Sequence, residues 1–368
     1  MLDFKDIKFE DLMDNSSKNK ELDKSDNDIA IIGMAGIFPL ADNVESFWEN
    51  IRLGTDCVHS IPNLRKEHAD KYLHHVNILN TNEYRYKKMG YIDRIDNFDY
   101  KFFNLSPKEA SLMDPKQRLF LQVAYQAIEH AGYGGKRLNG TETGVFVGHS
   151  ELGGINYREM IQNIEPDSYM TGFIGNLPSI IPSRISYLLD LKGPSMLIDT
   201  SCSSSLTSLY LACQAIRNGD CKQAIVGTTH INLLPFEIEQ KLGIEASDYR
   251  TRSFDDGAEG TGSGEGVIAI LIKPLHCAIE DGDHIEAVIK GGAINQDGNS
   301  IALTAPNVEA QEKVICQAWE NAGVSPEDIT YIEAHATGTS LGDPIEIAGL
   351  EKALKGLLSE SNFVQSVL

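Results

Sequence analysis

The stretch SMLIDTSCSSSLTSLYLACQAIRNG, residues 195–219, is predicted to form a β-strand, a short turn and an α-helix. SMLIDT has the short apolar run of a buried strand. After Cys202 the apolar side chains recur at helical spacing, and Asn218-Gly219 is a typical helix end. The side chains on this apolar face are Leu206, Leu209, Tyr210, Cys213 and Ile216. Cys202 is therefore predicted to lie where the strand passes into the helix.

This position favours a reactive thiol at Cys202. Unpaired backbone N–H groups and the positive end of the helix dipole favour the thiolate form of a cysteine. The same N–H groups can stabilise an oxyanion on an acyl group attached to the sulfur. Cys213 falls on the apolar face and is predicted to belong to the core. From these residues alone, a nucleophile and a structural cysteine are equally good interpretations of Cys202.

Strands and helices alternate along the rest of the chain. A helix is predicted from Ser106-Pro107 to Gly132, because apolar residues recur there at helical spacing. This alternation predicts an α/β protein with a mostly parallel, buried sheet. The other predicted strands are IAIIGMAG (29–36), GVFVGHS (144–150), QAIVGTTH (223–230), GVIAILI (266–272) and HIEAVIKGGAI (284–294).

Composition excludes several classes of protein. The 368 residues include 32 Lys and Arg against 53 Asp and Glu, a formal net charge of −21 that repels nucleic acid. The six cysteines form no C-x-x-C pair, so neither a disulfide framework nor a metal site is indicated. No secretory signal or membrane span is recognised, and a cytoplasmic protein without a membrane partner is expected.

Two segments carry less information. Residues 1–28 are polar and rich in charge, which predicts a linker or docking tail. The run GTGSGEG, residues 260–266, satisfies no G-x-G-x-x-G register, so it gives no support for nucleotide binding. We interpret it as a tight turn between two halves of the fold.

A second reactive side chain lies in DITYIEAHATGTSLGDPIEIAGL, residues 328–350. Tyr331 to Ala334 is predicted to be an apolar strand with His335 at its end. Asp343, Pro344 and Glu346 suit the N-cap, N1 and N3 positions of a following helix. A histidine at a strand end is often purely structural. However, His335 and Cys202 are both predicted at strand tips, where the active sites of parallel α/β sheets gather.

Together these residues resemble the condensing enzymes of the thiolase superfamily, and more narrowly the ketosynthase (β-ketoacyl synthase) domains of modular polyketide synthases. The resemblance extends from Ile29 to the last residue. It is carried by IAIIGMAGIFPLADNVESFWENI, FFNLSPKEASLMDPKQRL, GPSMLIDTSCSSSL, SFDDGAEGTGSGEG and EAHATGTSLGDPIE, in that order. It implies a thiolase-like, duplicated αβαβα layered fold, a homodimer, and neighbouring polyketide synthase domains.

The resemblance also implies a division of the chain. Residues 29–262 correspond to the N-terminal half of a ketosynthase, and 263–368 to the start of the C-terminal half. The family's second histidine, in a K-S-N-x-G-H motif, and a later glycine-rich turn would lie beyond Leu368. We therefore expect an incomplete second half, an exposed sheet edge or open core, and a fragment of a longer polypeptide.

The implied reaction is a decarboxylative Claisen condensation. Cys202 would accept an acyl group from the phosphopantetheine arm of an acyl carrier protein, and malonyl on a carrier protein would then extend it. His335 would stabilise the developing enolate, Thr337 and Thr339 would contact the pantetheine arm, and no cofactor would be bound. The alternatives are a non-elongating acyl-transfer domain of the same fold, an inactive carrier-docking or dimerisation fragment, and a thiolase that uses coenzyme A.

Two positions depart from the commonest family pattern. The chain has Ala336 in HATGT where HGTGT is more frequent, and Ser201 in DTSCSSSL where DTACSSSL is common. Both changes are small in volume.

Overall fold

The computed structural model describes residues 27–77, 85–151, 156–237, 244–300, 302 and 305–358. The predicted tail at 1–28 lies outside the described residues except for its last two positions.

Eight strands are present in this part of the chain. They are β1 (Ile29–Ile37), β2 (Val58–His59), β3 (Met89–Gly90), β4 (Thr143–Gly148), β5 (Ser195–Ile198), β6 (Gln223–His230), β7 (Gly266–Pro274) and β8 (Ala287–Ile289). Six of them form one sheet in the order β5-β4-β6-β7-β1-β8, and β2 pairs with β3. The strands predicted from apolar runs are thus present except at 331–334, and β8 covers only part of the predicted 284–294.

Eleven α-helices accompany these strands in the same ranges. They are α1 (Val44–Leu53), α2 (Asn63–His75), α3 (Pro107–Leu112), α4 (Pro115–His130), α5 (Tyr157–Ile164), α6 (Tyr169–Gly175), α7 (Ile180–Leu188), α8 (Ser204–Arg217), α9 (Leu275–Asp281), α10 (Val308–Ala322) and α11 (Gly342–Leu358).

The prediction of a mostly parallel sheet is wrong. The β4/β5 and β4/β6 pairs are parallel, whereas β6/β7, β1/β7 and β1/β8 are antiparallel. A continuous apolar run indicates burial on both faces of a sheet, but it does not determine the direction of the neighbouring strand. The result is a mixed sheet within an α/β fold.

The sheet is covered on both faces. Val145 and Val147 of β4 pack in the cluster that contains α4 residues such as Leu119 and Ala124. Phe146, between them, packs in the cluster on the α8 side of the sheet. Alternation of side chains along the strand explains why one apolar run serves two cores. Cys202 lies at the end of the sheet where the carboxyl ends of β4, β5 and β6 meet.

The long helix predicted from Ser106-Pro107 to Gly132 is divided in two. Met113 is extended (φ −82°, ψ 132°), and the Asp114 carboxylate caps α4 by accepting from Lys116 N at 2.8 Å. Proline at the first position of α4 explains the break, because the residue before a proline disfavours helical backbone. The first helix begins at Ser106-Pro107 as predicted, and Ser106 Oγ caps it by accepting from Glu109 N at 3.1 Å.

Helix α8 ends as predicted, but the face it buries at its start is different. Leu206 is 72% exposed, whereas Ser204 and Ser208 are buried. A Cβ atom at Gly148 of β4 would lie 2.6 Å from the Ser204 carbonyl carbon. The helix thus approaches the strand so closely that only small side chains fit between them. Farther along, Cys213 is buried as expected.

The segment 331–334 does not form the predicted strand. Tyr331 is 76% exposed and Ile332 is 42% exposed. A strand needs a hydrogen-bonding neighbour, and no strand of the described residues pairs with this segment.

Candidate active site

Cys202 lies in a single 3-10 turn, Ser201–Ser203, between β5 and α8. The turn is held by its own polar groups: Ser204 Oγ donates to Ser201 O at 2.7 Å and accepts from Thr200 N at 2.9 Å. Ser201 has a φ of 60°, in the left-handed region. The predicted strand-to-helix junction is therefore correct, and it is a sharp turn.

Cys202 is exposed, whereas the other five cysteines are buried or only partly exposed. Its Sγ lies 4.0 Å from Ser201 Oγ. Cys213 and Cys221 contrast with it, because burial raises the pKa of each thiol to about 11. An accessible sulfur at a helix N-terminus has the setting of a nucleophile, whereas these buried thiols stay protonated.

The loop that carries His335 is held by carboxylates of α11. Glu346 accepts from His335 N at 2.6 Å through Oε1 and from Ala336 N at 2.8 Å through Oε2. Asp343 accepts from Gly338 N at 3.0 Å and from Phe254 N at 2.7 Å. The predicted capping-box partners are therefore wrong, because both carboxylates bind other segments instead of their own helix.

Thr337 and Thr339 lie in the same loop. Their hydroxyl oxygens are 3.0 Å apart, and Thr339 Oγ1 also accepts from Gly342 N at the start of α11 at 3.0 Å. These contacts give both residues a local structural role. Their predicted role in contacting a pantetheine arm stays a prediction.

The structure groups the predicted site residues into two parts. His335, Thr337 and Thr339 share one loop, and Cys202 occupies the turn before α8. The imidazole of His335 is exposed, and in the described ranges it makes no hydrogen bond to Cys202 or to any other group. Both reactive side chains are therefore open to a substrate.

Sequence reasoning missed the segment that supports the His335 loop. Gly260 N donates to Gly338 O at 2.8 Å, and Ser253 Oγ donates to Ala336 O at 2.7 Å. Gly260 has a φ of 137°, which L side chains rarely adopt. The run GTGSGEG therefore supports the loop that carries His335. The signal was a glycine that needs an unusual backbone conformation.

Two histidines at strand ends were also not singled out. His149 follows β4 and is buried, and His230 ends β6 and is half-buried. Burial, followed by the charge of Lys116, lowers the pKa of both imidazoles. For His149, the Thr229 carbonyl, which lies 3.1 Å from Nδ1, and the carboxylates of Asp114 and Glu151 oppose this effect.

We expect the free energy of unfolding of the wild type to fall more steeply than that of His149→Gln as the pH drops below about 6.5. Because the folded-state pKa is lowered, the unfolded chain binds a proton that the folded protein refuses. The two curves should diverge by at most about 1.4 kcal/mol per pH unit. Urea denaturation between about pH 7 and 5 measures this difference. If the free energies of unfolding of the two proteins changed equally with pH, the pKa of His149 would not be lowered in the folded protein.

The described residues support neither a metal site nor a membrane-spanning helix. No group of three or more His, Cys, Asp or Glu side chains is arranged to hold a metal ion. None of the described helices is both long enough and apolar enough to cross a bilayer.

Comparison with known families and structures gives one consistent result. Residues 26–278 match Beta-ketoacyl synthase, N-terminal domain, and residues 286–367 match Beta-ketoacyl synthase, C-terminal domain. The chain is 42% identical over 344 residues to polyketide synthase PksN of Bacillus subtilis, covering 93% of this chain and 6% of that protein.

Solved structures agree. The ketosynthase from module 6 of the bacillaene synthase of Bacillus subtilis matches with a TM-score of 0.76 at 37% identity, covering 90% of this chain and 54% of that one. Ketosynthase twelve of the bacillaene polyketide synthase of Bacillus amyloliquefaciens has the same TM-score at 35% identity, with 90% and 56% covered. The chain thus spans about half the length of these solved ketosynthases and a small part of the curated synthase. The thiolase-like fold expected from the motifs is confirmed, and the chain belongs to the β-ketoacyl synthase family, among the ketosynthase domains of polyketide synthases.

Proposed function

We propose that the protein is a β-ketoacyl synthase of a polyketide assembly line, with Cys202 as the acyl acceptor. The observation that carries this proposal is the exposed Cys202 thiol, alone among six cysteines, at the start of α8 in a chain of this family. A buried sulfur could not reach a substrate held by another protein.

The first step is acyl transfer. The Cys202 thiolate attacks the carbonyl of an acyl thioester on the phosphopantetheine arm of an acyl carrier protein. The new C–S bond forms on Cys202, the carrier's C–S bond breaks, and the carrier sulfur leaves as a thiolate that takes up a proton from solvent. Backbone N–H groups of the turn at 201–203 are suited to stabilise the tetrahedral oxyanion. Covalent attachment divides a difficult condensation into two easier steps.

The second step forms the new carbon–carbon bond. Malonyl on a carrier protein loses carbon dioxide, and the electron pair of the broken C–C bond forms an enolate. Its carbon attacks the Cys202 thioester, the C–S bond breaks, and Cys202 leaves as the thiolate, which carries the negative charge that malonyl brought as its carboxylate. His335 donates to the developing enolate oxygen, which stabilises charge that is larger in the transition state than in the ground state. Thr337 and Thr339, in the same loop, contact the arm that delivers malonyl.

The partners follow from this chemistry. An acyl carrier protein must present both substrates, and the modular polyketide synthases among the relatives support neighbouring synthase domains. We further propose a cytoplasmic homodimer, with no nucleic acid or membrane partner. No bound cofactor is required, because both substrates arrive as thioesters.

The test is product formation by the intact protein. It is incubated with an acyl-carrier thioester and a malonyl-carrier thioester, and mass spectrometry of the carrier is expected to show a β-ketoacyl product extended by two carbons. Acyl transfer to the protein without decarboxylation of malonyl would instead identify a non-elongating domain. Carrier binding without any thioester would identify a docking fragment.

A further inference from the structure

The residue after His335 has an unfavourable backbone conformation. Ala336 has a φ of 50°, in the left-handed region, where the Cβ of an L-residue approaches the backbone and costs about 1 kcal/mol or more. Glycine adopts this region without that cost. Such a conformation persists only where the surroundings enforce it.

Two polar side chains enforce it at Ala336, one on each side of the residue. Glu346 accepts from the Ala336 N–H at 2.8 Å, and Ser253 Oγ donates to the Ala336 carbonyl oxygen at 2.7 Å. The same Glu346 carboxylate also accepts from the His335 N–H at 2.6 Å. We call Ser253 and Glu346 the Ala336 clamp.

Ser253 is distant in the chain but fixed in space. It lies 83 residues before Ala336. The next residue, Phe254, donates its N–H to Asp343 at 2.7 Å, and Gly260 N donates to Gly338 O at 2.8 Å. The segment that carries Ser253 is therefore bound at two other points, once to the first turn of α11 and once to the His335 loop. The Ser253 side chain is exposed, so packing does not account for its contact with the loop.

We propose that Ser253 is a positioning residue for His335, an inference that rests on the proposed condensation. The dihedral angles of Ala336 set the plane of the peptide that joins it to His335, and hence the direction in which the imidazole leaves the loop. Ser253 keeps Ala336 in the left-handed region together with Glu346. The clamp acts on the step in which His335 stabilises the enolate, and has no part in the acylation of Cys202.

Four variants of the intact protein test this proposal: Ser253→Ala, Ser253→Thr, Ser253→Ala combined with Ala336→Gly, and the matched control Ser247→Ala. Ser247 is an exposed serine of the same segment, and its hydroxyl donates to Glu259 at 2.7 Å, which lies outside the His335 loop. We expect Ser253→Ala to lower the condensation rate about tenfold while the rate of Cys202 acylation is unchanged. Threonine keeps the hydroxyl and should retain the rate within about threefold. The control should condense at the wild-type rate.

The double variant distinguishes positioning from a general structural role. Glycine at 336 reaches the left-handed region without the clamp, so Ala336→Gly should restore most of the condensation lost in Ser253→Ala. A wild-type rate in Ser253→Ala, or a loss that Ala336→Gly does not recover, would overturn the proposal.

Hydrogen exchange separates this inference from the proposed function. If the wild type forms no condensation product, the proposed function fails, and exchange at the His335 and Ala336 amides then decides the role of Ser253. Exchange at least about fivefold faster in Ser253→Ala than in Ser247→Ala supports the clamp. Equal exchange in the two variants refutes it.

Discussion

Cys202→Ala is expected to abolish covalent acylation of the protein and, with it, all product formation. The thiol is the only exposed one among the six cysteines, and alanine offers no nucleophile in its place. Because the side chain is exposed, its removal leaves no buried cavity, and the free energy of unfolding should change by less than about 0.5 kcal/mol. Intact mass spectrometry after incubation with an acyl-carrier thioester measures the adduct, and urea denaturation checks the fold.

A matched control is Cys316→Ala, in a partly exposed cysteine of α10 whose thiol pKa is raised by burial. Its thiol stays protonated, so this variant should keep the full acyl adduct. An adduct that persists in Cys202→Ala, or that disappears in Cys316→Ala, would show that another cysteine holds the acyl group.

Glu265→Gln is expected to lower the free energy of unfolding by about 3–5 kcal/mol, the usual effect of breaking a buried ion pair. Glu265 and Arg65 form a bidentate pair with N–O distances of 2.5 and 2.9 Å, and their side chains are 0% and 4% exposed. The Glu265 carboxylate also accepts from Ile92 N and Asn232 N, both at 2.9 Å. Glutamine would leave the Arg65 charge buried without a counter-charge and would present an NH2 donor to one of those two N–H groups. Urea denaturation followed by circular dichroism measures the loss.

The control for this variant is Glu67→Gln, which breaks the pair with Lys71 on the exposed surface of α2. Solvent screens this pair, so the denaturation midpoint should stay at the wild-type value. Equal midpoints for Glu265→Gln and the wild type would show that the buried pair contributes nothing to folding stability.

Glu265 also connects folding stability to the candidate site. It lies in the GTGSGEG run, where Glu265 N donates to Gly90 O at 2.9 Å, and the same run begins with Gly260, which binds Gly338. Loss of the buried pair should therefore loosen the His335 loop as well as the fold. A lower rate of condensation in the fraction of Glu265→Gln that stays folded would be the accompanying observation.

The sequence by itself determined the local features of this protein. The apolar run before Cys202, the helical spacing after it and the glycine at 219 determined a strand, a turn and a helix, because these depend on neighbouring residues. The ordered motifs determined the family. The accessibility of Cys202 stayed open, because a strand-to-helix junction suits both a nucleophile and a structural cysteine, and it is the structure that shows this residue exposed.

Only the tertiary structure decided the features that depend on distant partners. The antiparallel direction of β7, the close approach of α8 to Gly148 and the exposure of Leu206 all follow from how elements pack. Asp343 and Glu346 have the spacing of a capping box, yet their carboxylates bind the His335 loop and Phe254 instead. Local pattern identifies a hydrogen-bonding group, but the fold brings competing donors to it from elsewhere in the chain, and the better geometry determines which one it binds.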